Sequence, residues 1–175
     1  MPTVFMCADT HFGHKKILEF EAKARPFATI EEHDEHLISN WNSVVTKRDI
    51  VKHLGDVIFS GSESFKRIIG RLNGVKELIA GNHDTNRIHQ LSPYFHKIVG
   101  VGKFEGYSLT HIPIHHSQFY RFKGNIHGHL HSDIIKKKSL GGLYNIPDKR
   151  YINVSMEQIN LTPISWEDLK EKING

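Results

Sequence analysis

The chain lacks most of the features that would take it out of the ordinary globular class. Its one cysteine among 175 residues excludes an internal disulfide. No run approaches the ~20 apolar residues needed to span a bilayer. Met1 to Lys16 holds no apolar stretch long enough for a signal-peptide core before charges begin. The expected setting is therefore the cytoplasm, with no membrane association and no protein partner indicated. Charge of one sign is also missing: 23 Lys+Arg against 19 Asp+Glu leave a net +4, which permits an anionic ligand but does not argue for nucleic acid. There is no internal repeat and no low-complexity tract, and the length suits one domain over residues 1–175.

Histidine is abundant, with 14 residues. The question is whether they converge. Thr3 to Ala8 reads as a strand ending at Asp9-Thr10-His11. Thr29 and Glu32 have capping-box spacing, and Ile30, His33, Leu37, Ile38, Trp41 and Val44 recur at helical intervals, predicting an amphipathic helix over 30–45 with His33 and His36 on its exposed rim. Asp49 to Leu54 reads as a buried strand followed by Gly55-Asp56. Phe65, Ile68, Ile69 and Leu72 predict a second helix closed by Asn73-Gly74. Val75 to Ala80 is a third strand, running into Gly81-Asn82-His83-Asp84. Strand, polar cluster and helix in repetition indicate an open α/β sheet with its ligands beyond the carboxyl ends of the strands.

The second half reads as short strands over about 96–104, 107–112, 125–130 and 151–160, expected to form a second, more antiparallel sheet packed on the first. Residues 133–150, with Lys136, Lys137, Lys138, Lys149 and Arg150, read as an exposed hairpin or loop, or as a basic rim beside an anionic substrate. Ser165 to Ile173 predicts a closing helix capped by Ser165.

Most of the polar clusters follow predicted strands. Asp9-x-His11 would send both side chains to the same side of an extended chain, and so would His129-x-His131. Asp56 supplies a carboxylate able to bridge two cations. Asn82 offers a neutral oxygen, and His83 suits either a ligand or an acid facing substrate. Asp9, His11, Asp56, Asn82, His111, His129 and His131 are too many ligands for one tetrahedral ion and fit two ions sharing Asp56.

Asp9-x-His11, Gly55-Asp56, Gly81-Asn82-His83-Asp84, His111 and Gly128-His129-x-His131, in that order, resemble the five sequence blocks of the calcineurin-like metallophosphoesterase superfamily, in particular its compact prokaryotic and phage-type members. The resemblance implies a four-layer α/β/β/α sandwich of two packed mixed sheets with flanking helices. It implies hydrolysis of phosphate esters by in-line attack of a hydroxide shared between two divalent metals, Mn being the favoured choice with Fe, Zn, Ni or Co as others. Asp9, His11, His131 and Asp56 would hold one metal. Asn82, His111, His129 and Asp56 would hold the other, with His83 and Asn82 facing the phosphate and His83 acting on the leaving group.

Two departures narrow this. Phe59 and Ser60 stand where the protein-phosphatase branch carries an Asp-Arg pair, which points to phosphodiesters, a nucleotide or nucleic-acid end among them, with a phosphomonoesterase as the alternative and a non-catalytic metal-binding module as a further one. With that Arg missing, Arg25 is the candidate phosphate clamp, because a guanidinium fork matches phosphate oxygens. Asp84 is the candidate for orienting His83. A metallo-β-lactamase run is excluded by Ile134, and a zinc protease by the absence of His-Glu-x-x-His. Cys7 reads as a small buried hydrophobe.

Overall fold

The first strand, β1 (Val4–Cys7), faces two cores at once in the computed structural model, which describes residues 1–139, 141–142 and 145–175. Strand side chains alternate between faces. Phe5 and Cys7 join a cluster with Leu37, Ile38, Trp41 and Val51, while Met6 and the following Ala8 join Leu54, Ile79, Leu109, Ile126 and Val154. Burial on both faces explains why this segment reads as a continuous apolar run. Cys7 is fully buried, as its neighbours predict.

Nine more strands follow β1 before the last: β2 (Ile50–His53), β3 (Val75–Ile79), β4 (Lys97–Val99), β5 (Gly102–Phe104), β6 (Tyr107–Leu109), β7 (Asn125–His127), β8 (Lys136–Lys138), β9 (Asn145–Pro147) and β10 (Tyr151–Asn153). The last is β11 (Ile164–Ser165). One sheet has the order β11-β1-β2-β3-β4, parallel except for β11. The other has the order β10-β7-β6-β5. This second sheet is less antiparallel than its sequence suggests, because β10, β7 and β6 run parallel and only β5 opposes β6. The reason is the connection from β6 to β7, a crossover through a 3₁₀ turn at His116–Tyr120 that returns the chain in the same direction.

The predicted strand 96–104 is two strands in different sheets, β4 on the edge of one and β5 on the edge of the other. The predicted strand 151–160 stops at Asn153 and gives way to a 3₁₀ turn at Met156–Ile159. Between 133 and 150 the expected hairpin forms from β8 and β9, all of whose residues are exposed. Residues 140, 143 and 144 of that span lie outside those described.

The helices are α1 (Ile17–Phe20), α2 (Ile30–Val44), α3 (Ser62–Ile68), α4 (Ile88–Leu91) and α5 (Trp166–Asn174). Thr29 caps α2 by accepting from Glu32 N, and Glu32 Oε2 reaches back to accept from Ala28 N, one residue outside a strict capping box. Ser165 caps α5 by accepting from Asp168 N. Helix α2 lays Leu37, Ile38 and Trp41 into the first cluster, and α3 adds Phe65 and Ile68. Leu169 of α5 contributes to the inter-sheet cluster. The result is a mixed α/β fold with two mixed sheets and flanking helices. Among the described residues no helix is long and apolar enough to cross a membrane.

Trp41 carries the contact between α2 and the first sheet: it is buried, and its Nε1–H donates to Asn73 O at 3.0 Å. Trp41→Ala should cost about 3–5 kcal/mol of unfolding free energy in urea, and Trp41→Phe, which loses the hydrogen bond but keeps most of the packing, clearly less. Equal losses for the two variants would show that the hydrogen bond rather than the packing dominates.

Candidate metal centre

Five loops leave the carboxyl ends of β1, β2, β3, β6 and β7 and meet on one side of the two sheets. Asp9 and His11 follow β1, Asp56 follows β2, Asn82 and His83 follow β3, His111 follows β6, and His129 and His131 follow β7. The β1 and β2 loops are held together by backbone bonds that continue the strand pairing, Asp9 N to Gly55 O at 2.9 Å and His11 N to Asp56 O at 3.1 Å.

The side chains do not converge by extended-strand alternation. Asp9, His11, Asp56, His129 and His131 all have left-handed backbone, with φ of 58°, 48°, 57°, 71° and 49°, and they are five of the eight non-glycine residues in that region among those described. Such conformations cost on the order of 1–3 kcal/mol each and persist where surrounding contacts enforce them. Two glycines allow the loops to close. A Cβ on Gly81 would collide with Asp56 Oδ1, and one on Gly128 would collide with Asp9 Oδ2 and come within 2.5 Å of the Ala8 Cβ.

Each of the two buried carboxylates has one oxygen satisfied by the protein and the other turned to imidazoles. Asp9 Oδ2 accepts from His129 N and from Ser155 Oγ, both at 2.8 Å. Its Oδ1 has no hydrogen-bond partner and lies 3.7 Å from His11 Nε2 and 3.9 Å from His131 Nε2. Asp56 Oδ1 accepts from His83 N at 3.1 Å, while Oδ2 lies 3.3 Å from His111 Nε2, 3.6 Å from His11 Nε2 and 4.0 Å from His83 Nε2. Asn82 Oδ1 sits 3.0 Å from His111 Nε2. The His129 ring stands edge-on to that of His111, centroids 5.1 Å apart.

The imidazoles are oriented from behind. His111 Nδ1–H donates to Leu54 O at 2.7 Å and His131 Nδ1–H to Glu157 Oε1 at 2.9 Å. His11 Nδ1 shares a hydrogen bond with His14 Nδ1 at 3.0 Å, and Phe59 stacks across both rings. In each case Nε2 is left facing the carboxylates.

This donor set suits a divalent cation. Asp9, His11 and His131 offer ligand atoms within 4.8 Å of one another, and so do Asp9, Asp56 and His111. The buried, unpartnered Asp9 Oδ1 and His11 Nε2 are the sharpest sign, because uncompensated buried polar atoms are costly.

Electrostatics point the same way. Burial opposes the charge on Asp9, but the imidazoles of His11, His111 and His131 close to it hold its carboxyl below the usual range. For Asp56 too, burial is outweighed by His111. Burial also opposes a charged His111, yet the hydrogen bond to Asp56 and the charges of Asp9 and Asp56 raise its pKa to about 9. A cation entering here displaces that proton.

Other expected residues fall elsewhere. Arg25 is 0% exposed, and its guanidinium donates to Glu157 Oε1 and to the carbonyls of Asp9 and Thr10, so no face of it is open to a phosphate. His33 is also buried, between Arg25 and Asp34, not on a rim. Asp84 accepts from the backbone N–H groups of Asp56, Val57 and Gly81, which ties two loops together and leaves it no role towards His83. His83 lies on the open side with 54% of its side chain exposed. Sequence reasoning missed Ser155 and Glu157. Their only signal is that they too follow a strand, β10, as the other clusters do.

Known proteins resemble this chain over most of its length. The family described as calcineurin-like phosphoesterase matches residues 2–172. An uncharacterized protein of Methanocaldococcus jannaschii is 36% identical over 172 residues, covering 95% of this chain and 89% of that protein. The gene 66 protein of Mycobacterium phage D29 is 29% identical over 203 residues, covering 97% and 92%. The crystal structure of a protein of unknown function from Aquifex aeolicus superposes with a TM-score of 0.74 at 25% identity, over 98% of this chain and 100% of that one.

The metal-free protein should be most stable near pH 6.5. His111 has its pKa raised from 6.5 to about 9, so the stability it contributes is complete below pH 6.5 and lost as pH rises through about 9. Burial lowers His53 to about 4, and its neutral ring is fully bonded, accepting from Gly55 N and donating to Thr10 Oγ. Its contribution is present above pH 6.5 and lost as pH falls toward about 4. Melting temperatures in chelator across that range check this, and a flat profile would contradict it.

Proposed function

Because the chain belongs to the calcineurin-like phosphoesterase family, and is on that ground a metal-dependent hydrolase of phosphoesters, we propose that it cleaves phosphodiesters at a centre of two divalent ions, with manganese the preferred metal. The observation that carries the reading is the pairing of two buried carboxylates whose free oxygens face His11, His111 and His131. Asp9, His11, His131 and Asp56 would hold one ion, and Asp56, Asn82, His111 and His129 the other. Asp56 Oδ2, lying between His11 and His111, suits the shared position. When bound, the ions neutralise phosphate oxygens and acidify a solvent molecule into a nucleophile.

The protein's own groups do the rest. Asn82 and His83 present their side chains to the substrate from one turn, so the group beside the cations and the group beside the leaving oxygen are adjacent in the chain. His83, exposed and 4.0 Å from Asp56 Oδ2, hands a proton to the departing alkoxide in an in-line displacement. The preference for diesters is supported by the fate of the arginines near the site. Arg25 is buried on protein acceptors, and Arg87 donates to Ser60 O at 2.7 Å, with weaker contacts to Ile58 O and Phe59 O. A dianionic monoester would gain from a free guanidinium clamp, whereas a singly charged diester needs less. Phe59 adds an aromatic surface at this rim.

With Mn²⁺ added, bis-p-nitrophenyl phosphate should turn over faster than p-nitrophenyl phosphate, and the reverse order would make the protein a phosphomonoesterase. His83→Ala should lower kcat by about 10²–10⁴ while Mn²⁺ still binds. Asp56→Asn should abolish turnover. Full activity in both variants would remove these residues from the reaction, and metal binding without turnover in the wild type would leave a non-catalytic metal-binding module.

A further inference from the structure

Arg25 and Glu157 form a buried ion pair 132 residues apart in sequence. Their side chains are 0% and 1% exposed. Glu157 Oε1 accepts from Arg25 Nε at 2.7 Å, from the Arg25 terminal nitrogen Nη2 at 2.6 Å, and from His131 Nδ1 at 2.9 Å. The same guanidinium donates to Asp9 O at 2.5 Å, to Thr10 O at 3.1 Å and to His33 Nε2 at 2.8 Å. His33 in turn bonds Asp34, and the Asp34 carboxylate accepts from Gly13 N. The network thus holds the backbone of the Asp9–Gly13 loop from one end and the His131 ring from the other.

A buried pair of this kind is weak evidence for a contribution to stability, because desolvating both charges offsets most of their attraction. What it does specify is geometry. Glu157 can only accept, so His131 must carry its proton on Nδ1 and present Nε2 toward Asp9 Oδ1, 3.9 Å away. Its contacts at the centre fall on the carbonyls of Asp9 and Thr10, on Gly13 N and on the His131 ring, so that it fixes the loop carrying Asp9 and His11 and the orientation of His131. None of its hydrogen bonds reaches Asp56, Asn82, His111 or His129. In the cluster of Glu21, His131 and Glu157, the guanidinium and the His131 ring both take Glu157 Oε1, while Oε2 is buried without a hydrogen-bond partner.

We propose that Arg25 and Glu157 are positioning residues for one half of the centre, setting the affinity of the ion held by Asp9, His11 and His131 and leaving that held by Asn82, His111 and His129 unchanged. This rests on the two-ion reading above. Arg25, a phosphate clamp in sequence logic, acts instead from behind the ligands.

The experiment is a calorimetric titration of the full-length, chelator-treated protein with Mn²⁺ alone, with electron paramagnetic resonance on the same samples. The wild type should bind two ions and show an exchange-coupled pair. Glu157→Ala should weaken one binding step by about 10–100-fold, leave the other step in place, and replace the coupled spectrum with that of an isolated ion at equal loading. Glu157→Gln, which keeps the volume and an acceptor oxygen, should recover part of the loss at that same step. It carries the comparison alone if the alanine variant does not fold. Two unchanged steps in a folded variant, or equal weakening of both steps, would overturn the positioning role while leaving the two-ion centre intact. Failure of the wild type to bind two ions would overturn the centre itself, and this proposal with it.

Discussion

Two carboxylates, Asp9 and Asp56, are buried in the same small volume, and the arrangement around them follows from the need to make that tolerable. Their ligand atoms lie with that of His111 within 4.8 Å of one another, so two full negative charges there repel by at least ~3.5 kcal/mol even at an effective dielectric constant of ~20. Each is anchored through one oxygen to protein donors. Imidazoles face the other oxygen, and in the absence of a cation the compensating proton sits on His111, whose pKa the two carboxylates raise, while burial keeps His11 neutral. The same balance that stabilises the protonated cluster makes it ready to exchange protons for divalent ions.

The geometry is maintained against local backbone preference. Left-handed residues concentrate in the loops after β1, β2 and β7, and the contacts that hold them there are mostly distant in sequence. Asp84 fastens the β2 and β3 loops through three backbone N–H groups. Ser155 reaches Asp9, and Arg25 grips the β1 loop by its carbonyls. Strain is thus localised where ligands must point away from the strand direction, while the sheets beneath keep ordinary geometry.

What could be read from the chain alone follows the range of the forces involved. Helices α2 and α5 were legible because a 3.6-residue apolar period and a capping serine or threonine are local. Strands β1, β2 and β3 were legible because they are apolar runs ended by polar residues. The break at Gly100-Val101 was not, since each half of 96–104 is a plausible strand and only tertiary packing assigns them to different sheets. The ligand-type residues of the centre stand out as polar clusters after strands. The groups behind them do not, because a buried Arg25, His33 or Glu157 looks in sequence like any surface charge until its partner arrives from far along the chain. Asp9 and His11 do lie side by side, but through left-handed backbone at both residues and not through extended-strand alternation.

Strand β1 is bonded on one side to β11, Phe5 to Ser165, and Ser155 and Glu157 lie just ahead of β11. During synthesis on a ribosome, Asp9 is therefore made early and must wait for its hydrogen-bond donor to emerge. At ~5–20 residues per second the delay is several seconds to about half a minute. A nascent chain in that interval exposes acidic and imidazole groups without the framework that arranges them.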